Sequence, residues 1–269
     1  MLVLFILASL AYGAAIFAYA LDPPAGEAHA NAMHRETRAA ILLAIAAALH
    51  VACIGAQCVA GEHPFGSVFL ATSFGALIAV VGALVVGRIR RAGTLGAIVA
   101  PVGLLGLSIG VMFGATGVHD PLPAPTGALA KAHIGLATAG LGGFTIAAGI
   151  AALYLTMDRR LRLKRWKPQP GGLSLTGLER LHYHAVMLVA PVLTLTIVTG
   201  VLWTVKSGGV AAIGGRWIEV LMAAAAWLCS AAILVMRATL GVRGRKSALL
   251  TLAAFACTLL VLVWYGVRA

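Results

Sequence analysis

Apolar residues along this chain come in long unbroken runs, not in the alternation of a half-buried strand or the one-sided stripe of a soluble helix. A window of spanning length picks out eight of them, at about 1–21, 39–60, 65–87, 94–114, 131–157, 183–204, 217–237 and 248–267. Each run is close to, or longer than, the roughly 20 residues with which an α-helix crosses about 30 Å of hydrocarbon. Lipid offers the backbone no hydrogen-bond partner, so such runs fold as helices. The pattern predicts an all-α, polytopic membrane protein: an eight-helix transmembrane bundle forming one transmembrane domain over 1–269, with the lipid bilayer as its solvent. The first run lacks a positive n-region and exceeds the apolar core of a secretory signal. It reads as a retained helix, with Ala18-Tyr19-Ala20 the one place where processing would fit.

The fifth run organises the rest. Lys131, Ala132 and His133 open it, 24 residues without a charge follow, and Asp158, Arg159 and Arg160 close it. Gly135, Ala139, Gly143, Ala147 and Ala151 recur at every fourth position, a spacing that lets another backbone approach closely where lipid gives no hydrophobic drive. The basic residues Arg159, Arg160, Arg162, Lys164, Arg165 and Lys167 come next. Loops after the odd-numbered runs hold sixteen Lys and Arg residues; the opposite side holds four, Lys131, Lys206, Arg216 and Arg268. Short basic loops stay in the cytoplasm. That bias predicts both termini outside, basic loops on the cytoplasmic side of a bacterial inner membrane, and His133 near the outer face.

Composition agrees with this picture: of 269 residues, 61% are hydrophobic and only 10% charged. The net charge of +12 and the pI near 10.3 would suggest nucleic acid in a soluble protein. Here the charges lie in short loops without aromatic interleaving, so no nucleic-acid partner is expected. Cys53, Cys58, Cys229 and Cys257 lie within apolar runs with no Cys-x-x-Cys pair and read as small hydrophobes. Proline and glycine in Thr116–Ala130 and Val205–Arg216 predict irregular outer surface. His29 and His34, in the first inner loop from Asp22 to Arg38, read as solvated.

No Ser-His-acid set, Walker loop, zinc motif or carboxylate pair is placed for catalysis within a membrane. The expected chemistry is therefore cofactor ligation and presentation, with enzymatic turnover left open. Histidine is the residue type that remains. His50 falls near mid-membrane with Cys53, Ile54 and Gln57 on its face, a site candidate by depth or else an imidazole bonded to a neighbouring helix. His63 lies between Glu62 and Pro64 in a short outer turn, at about the depth of His133, and two imidazoles at one depth suit the axial positions of a haem iron. Either His63 pairs with His133, or His50 forms a separate site, or helix tilt raises His50 to join. His182 and His184 enter the sixth run as an interfacial polar pair or a gate for cofactor entry. Thr196, Thr199 and Trp203 share one face beside Gly200, and Trp203 falls where an outer aromatic belt belongs. Arg216, Trp217 and Glu219 open the seventh run, where Glu219 suits the helix dipole.

Several stretches together resemble the cytochrome c assembly protein family, which includes the haem-handling CcsA and CcmC proteins and a shorter YpjD/HemX-like branch. They are Lys131-Ala132-His133-Ile134-Gly135 through Tyr154-Leu155, then Pro191-Val192-Leu193-Thr194 through Gly200 to Trp203, then Gly241-Val242-Arg243-Gly244-Arg245-Lys246-Ser247-Ala248. The resemblance runs from roughly Ile41 to the C terminus, and length and the His50 position match the shorter branch. It implies a bundle that binds haem, non-covalently (b-type), or presents it at the outer face to apocytochrome c. It ranks His133 first among the iron ligands and makes His63-Pro64 similar to an outer His-Pro turn. The family's tryptophan-rich segment is reduced here to Gly214-Gly215-Arg216-Trp217-Ile218-Glu219, which with Trp203 leaves two tryptophans, Trp203 and Trp217, as cofactor contacts. Val235 or Met236 stands where CcsA proteins carry a further histidine, and the histidine near their C-terminal end is missing around Trp264-Tyr265-Gly266.

The expectation is a haem-binding or haem-handling membrane protein that assists c-type cytochrome biogenesis or haem homeostasis. Its competitors are a scaffold or regulator of a respiratory or haem-synthesis assembly that binds no haem, and a small-molecule transporter. Against the transporter, the sequence has no inverted repeat and no matched broken helices.

Overall fold

The computed structural model describes residues 1–21, 29–90, 92–114, 127–164 and 174–268. These residues form nine helices and no strand: α1 (Leu2–Ala20), α2 (His29–Val59), α3 (Val68–Arg90), α4 (Leu95–Gly114), α5 (Ala128–Arg162), α6 (Leu175–Gly208), α7 (Ala211–Gly214), α8 (Trp217–Leu240) and α9 (Arg245–Arg268). Eight are long and apolar enough to cross a membrane, and α7 is a single turn. The chain is a multi-pass membrane protein.

The eight expected spans are all present, and the helices outrun them. α2 begins at His29 instead of near 39, so His29 and His34 are helical and not part of a loop. α5 gains a turn at its basic end, and α6 spans Leu175–Gly208, well beyond 183–204. Hydropathy marks the part of a helix that matches hydrocarbon. Hydrogen bonding continues into the interfacial layer, where long cationic side chains extend to water. For the same reason the stretch expected to be irregular from Val205 to Arg216 is largely helical, as the end of α6 followed by α7. The expected surface loop around His119 lies outside the described residues, apart from its last four.

Within the bundle, α1 packs on α2 and α4, α3 on α4 and α2, and α8 on α9. α5 touches both groups, lying against α3 and α4 on one flank and against α6 and α9 on the other. Small residues permit these contacts. A Cβ at Gly142 of α5 would come within 2.9 Å of the Gly75 carbonyl oxygen on α3, and one at Gly143 within 2.7 Å of Val189 on α6. Adjacent positions thus face opposite neighbours, and α5 is a wall shared by two halves. The predicted stripe accounts for one of these flanks; Ala147 and Ala151 in it are fully buried, while Ala139 is exposed.

Candidate cofactor site

The predicted face of α6 meets the predicted histidine of α5. His133, half-buried, lies over Gly200, where a Cβ would stand 2.7 Å from the imidazole Cε1. The missing side chain exposes the carbonyl one turn back. His133 Nδ1 lies 2.9 Å from the Thr196 carbonyl oxygen and 3.3 Å from Thr199 Oγ1. A carbonyl only accepts, so Nδ1 carries the proton and donates it. The Thr199 hydroxyl donates to the Leu195 carbonyl at 2.7 Å, which leaves its oxygen to accept a share of the same imidazole proton. In a neutral ring the other nitrogen, Nε2, then holds a bare lone pair. Among the described residues nothing bonds to it.

An aromatic and a cation complete the group. The Trp203 ring centroid is 5.7 Å from that of His133, and the Arg216 guanidinium carbon is 5.8 Å from the Trp203 centroid. This arrangement suits an imidazole that ligates a metal: one nitrogen anchored to a backbone carbonyl, the other without a bond among the described residues, and an indole beside the ring. Among the described residues no three His, Cys, Asp or Glu side chains converge to cage a bare ion. A porphyrin brings its own equatorial donors and asks the protein only for axial ones.

The other expected site residues lie elsewhere. His50 is fully buried, with Nδ1 3.0 Å from the Tyr12 hydroxyl on α1 and Nε2 2.9 Å from Ser73 Oγ on α3. Both nitrogens are occupied. Gln57, on the same face, donates to the Gly110 carbonyl of α4 at 3.2 Å, so this face of α2 ties helices together. His63 is exposed in the turn before α3, where its Nδ1 accepts the Phe65 N–H at 3.2 Å. A neutral ring so bonded carries its proton on Nε2, the opposite arrangement to His133. Phe65 itself lies 3.9 Å from where a Gly135 Cβ would be, which puts the His63 turn at the His133 end of α5. The two imidazoles make no ring contact with each other. Trp217 is 62% exposed at the start of α8 and takes no part in the tilted His133–Trp203 ring contact.

His182 and His184 diverge. His184 is exposed and bonds the Arg180 carbonyl of its own helix at 2.7 Å, whereas His182 is buried and bonds Thr251 Oγ1 of α9 at 2.8 Å. Near that end Arg237 reaches Glu179 at 3.2 Å and lies 4.0 Å over the Tyr183 ring. Sequence reasoning did not identify Tyr12, Ser73 or Thr251 as partners of buried imidazoles. A hydroxyl within an apolar run gives no sign of which helix it faces.

The cytochrome C assembly protein family model matches residues 40–269. Protein HemX of Brevibacillus brevis is 37% identical over 79 residues, a stretch that covers 29% of this chain and 29% of that relative. No solved structure matches. The chain belongs to the cytochrome c assembly protein family, and membership points to a role in c-type cytochrome biogenesis.

Proposed function

We propose that this member of the cytochrome c assembly family binds a non-covalent, b-type haem at the membrane face where α5 and α6 meet, which His133 would ligate and Trp203 would contact. The observation that carries the reading is the tautomer of His133. Its Nδ1–H is committed to the Thr196 carbonyl at 2.9 Å, and Nε2 is left as the donor. Haem would supply the redox-active and transferable group. The protein's own residues bind it, orient it and hold the imidazole in its donor form.

By the distribution of Lys and Arg, this face is the outer one of a bacterial cytoplasmic membrane, and both termini lie on it. An outer site suits presentation to an apocytochrome c outside the cell membrane. His63 is the candidate for the second axial position, since its turn lies at the same end of α5; it would have to surrender the Phe65 N–H bond. Trp217, exposed at the same rim, is the candidate for an outer contact with the cofactor or its acceptor.

The test is the absorbance spectrum of detergent-purified protein with pyridine haemochrome quantitation, for wild type beside His133→Ala. A Soret band at close to stoichiometric haem that collapses in the variant is the expected result. Wild-type protein that takes up no haem even when haem is supplied during expression would rule the reading out in favour of the scaffold.

A further inference from the structure

We propose that Arg216 recognises the carboxylates of the ligand, anchoring the propionate side chains of a haem whose iron His133 holds. The inference rests on the haem reading above and adds a charge partner that ligation alone does not require.

Arg216 immediately precedes α8 and is half-buried at the membrane end that carries His133. Its guanidinium lies on the indole of Trp203, and the same indole flanks His133. Imidazole, indole and guanidinium thus follow one another along one rim. A guanidinium held near an aromatic ring by a cation–π contact keeps its N–H donors for other partners, and that planar fork matches a carboxylate in two parallel hydrogen bonds.

Among the described residues Arg216 differs from the paired arginines in having no salt bridge. Arg237 has Glu179 at 3.2 Å, and even the largely exposed Arg162 has Asp158 at 3.0 Å. No ion pair within 4 Å joins Arg216 to a described carboxylate. A cation withdrawn part-way from water at the edge of hydrocarbon is costly without a counterion. A cation without a described counterion, close to an imidazole with one unbonded nitrogen, fits a planar ligand that is apolar over most of its area and acidic along one edge.

The experiment compares ferric haem with its dimethyl ester, which keeps the iron and ring but removes both negative charges. Detergent-purified apoprotein is titrated with each, for wild type, Arg216→Gln and Arg216→Lys, and the ratio of the two dissociation constants is the readout. Because both ligands are measured on one preparation, loss of folded protein cancels from the ratio. Wild type is expected to prefer the diacid by about tenfold or more, the effect of one charge-assisted pair. Arg216→Gln is expected to bring the ratio close to one with the Soret position unchanged, and Arg216→Lys to fall between. Equal binding of acid and ester by wild type, or a ratio that survives Arg216→Gln, overturns the assignment of Arg216 and leaves haem binding intact. Failure of wild type to bind either ligand overturns the haem reading itself.

Discussion

His50 and His133 are the same side chain in two different employments. His50 is fully buried, and two hydroxyls from two other helices take up both of its nitrogens. His133 is half-buried and uses one nitrogen, on a backbone carbonyl. The first geometry is a cross-link among α1, α2 and α3; the second is a donor held in place. Depth in the membrane does not separate a ligand from a strut. An imidazole with both nitrogens bonded is a strut, and one with a nitrogen left over is a candidate ligand.

Replacing the strut is expected to have the larger energetic effect. His50→Leu removes both bonds and strands the Tyr12 and Ser73 hydroxyls in an apolar setting, at a cost of about 2–5 kcal/mol. It should lower the unfolding temperature in detergent by several degrees and leave haem per folded protein unchanged. Loss of haem with an unaltered melting curve would exchange the roles of the two histidines. Gly200→Ala comes next, because its methyl would press on His133 Cε1 from 2.7 Å and move the ring off the Thr196 carbonyl. Haem affinity is expected to fall about 10- to 100-fold, as when the residue that orients a metal-bound imidazole is disturbed. A neutral outcome in a titration would mean that the anchor does not matter. The smallest effect belongs to Thr199→Val, which deletes the longer, 3.3 Å contact and spares the carbonyl. That should cost a few-fold in affinity at most, within about 1 kcal/mol. A loss as large as that of Gly200→Ala would make the hydroxyl the true anchor.

The spans were legible because a bilayer imposes uniform apolarity, a signal that any window detects. Their ends were not: α2 gathers polar residues from His29 onward, and nothing in hydropathy distinguishes an interfacial helix from a loop. Half of the candidate site was also legible as a helix face, since Thr196, Thr199 and Trp203 follow helical periodicity beside a glycine. What that face meets depends on helix order, which periodicity does not carry, so the His133 contact appears only in the folded chain. Arg216 registered in the sequence as one of four cations on the sparsely charged side and as a member of the reduced tryptophan-rich segment, with no partner assigned to it. Its nearness to an indole that also flanks His133 is a tertiary fact.

The shared position of α5 has a consequence for biosynthesis. Tyr12, His50 and Ser73 all lie in the first three helices, so every partner of the strut is made before α5. His133 and its anchor lie on successive helices, α5 and α6, and meet as soon as the second of these inserts. Chains are made from the N terminus, and packed units settle as they emerge. Synthesis order therefore lets the N-terminal helices pack first, with α5 then bringing both the shared wall and the donor to them. The last two long helices, α8 and α9, arrive when the imidazole is already set, and with α8 comes the arginine.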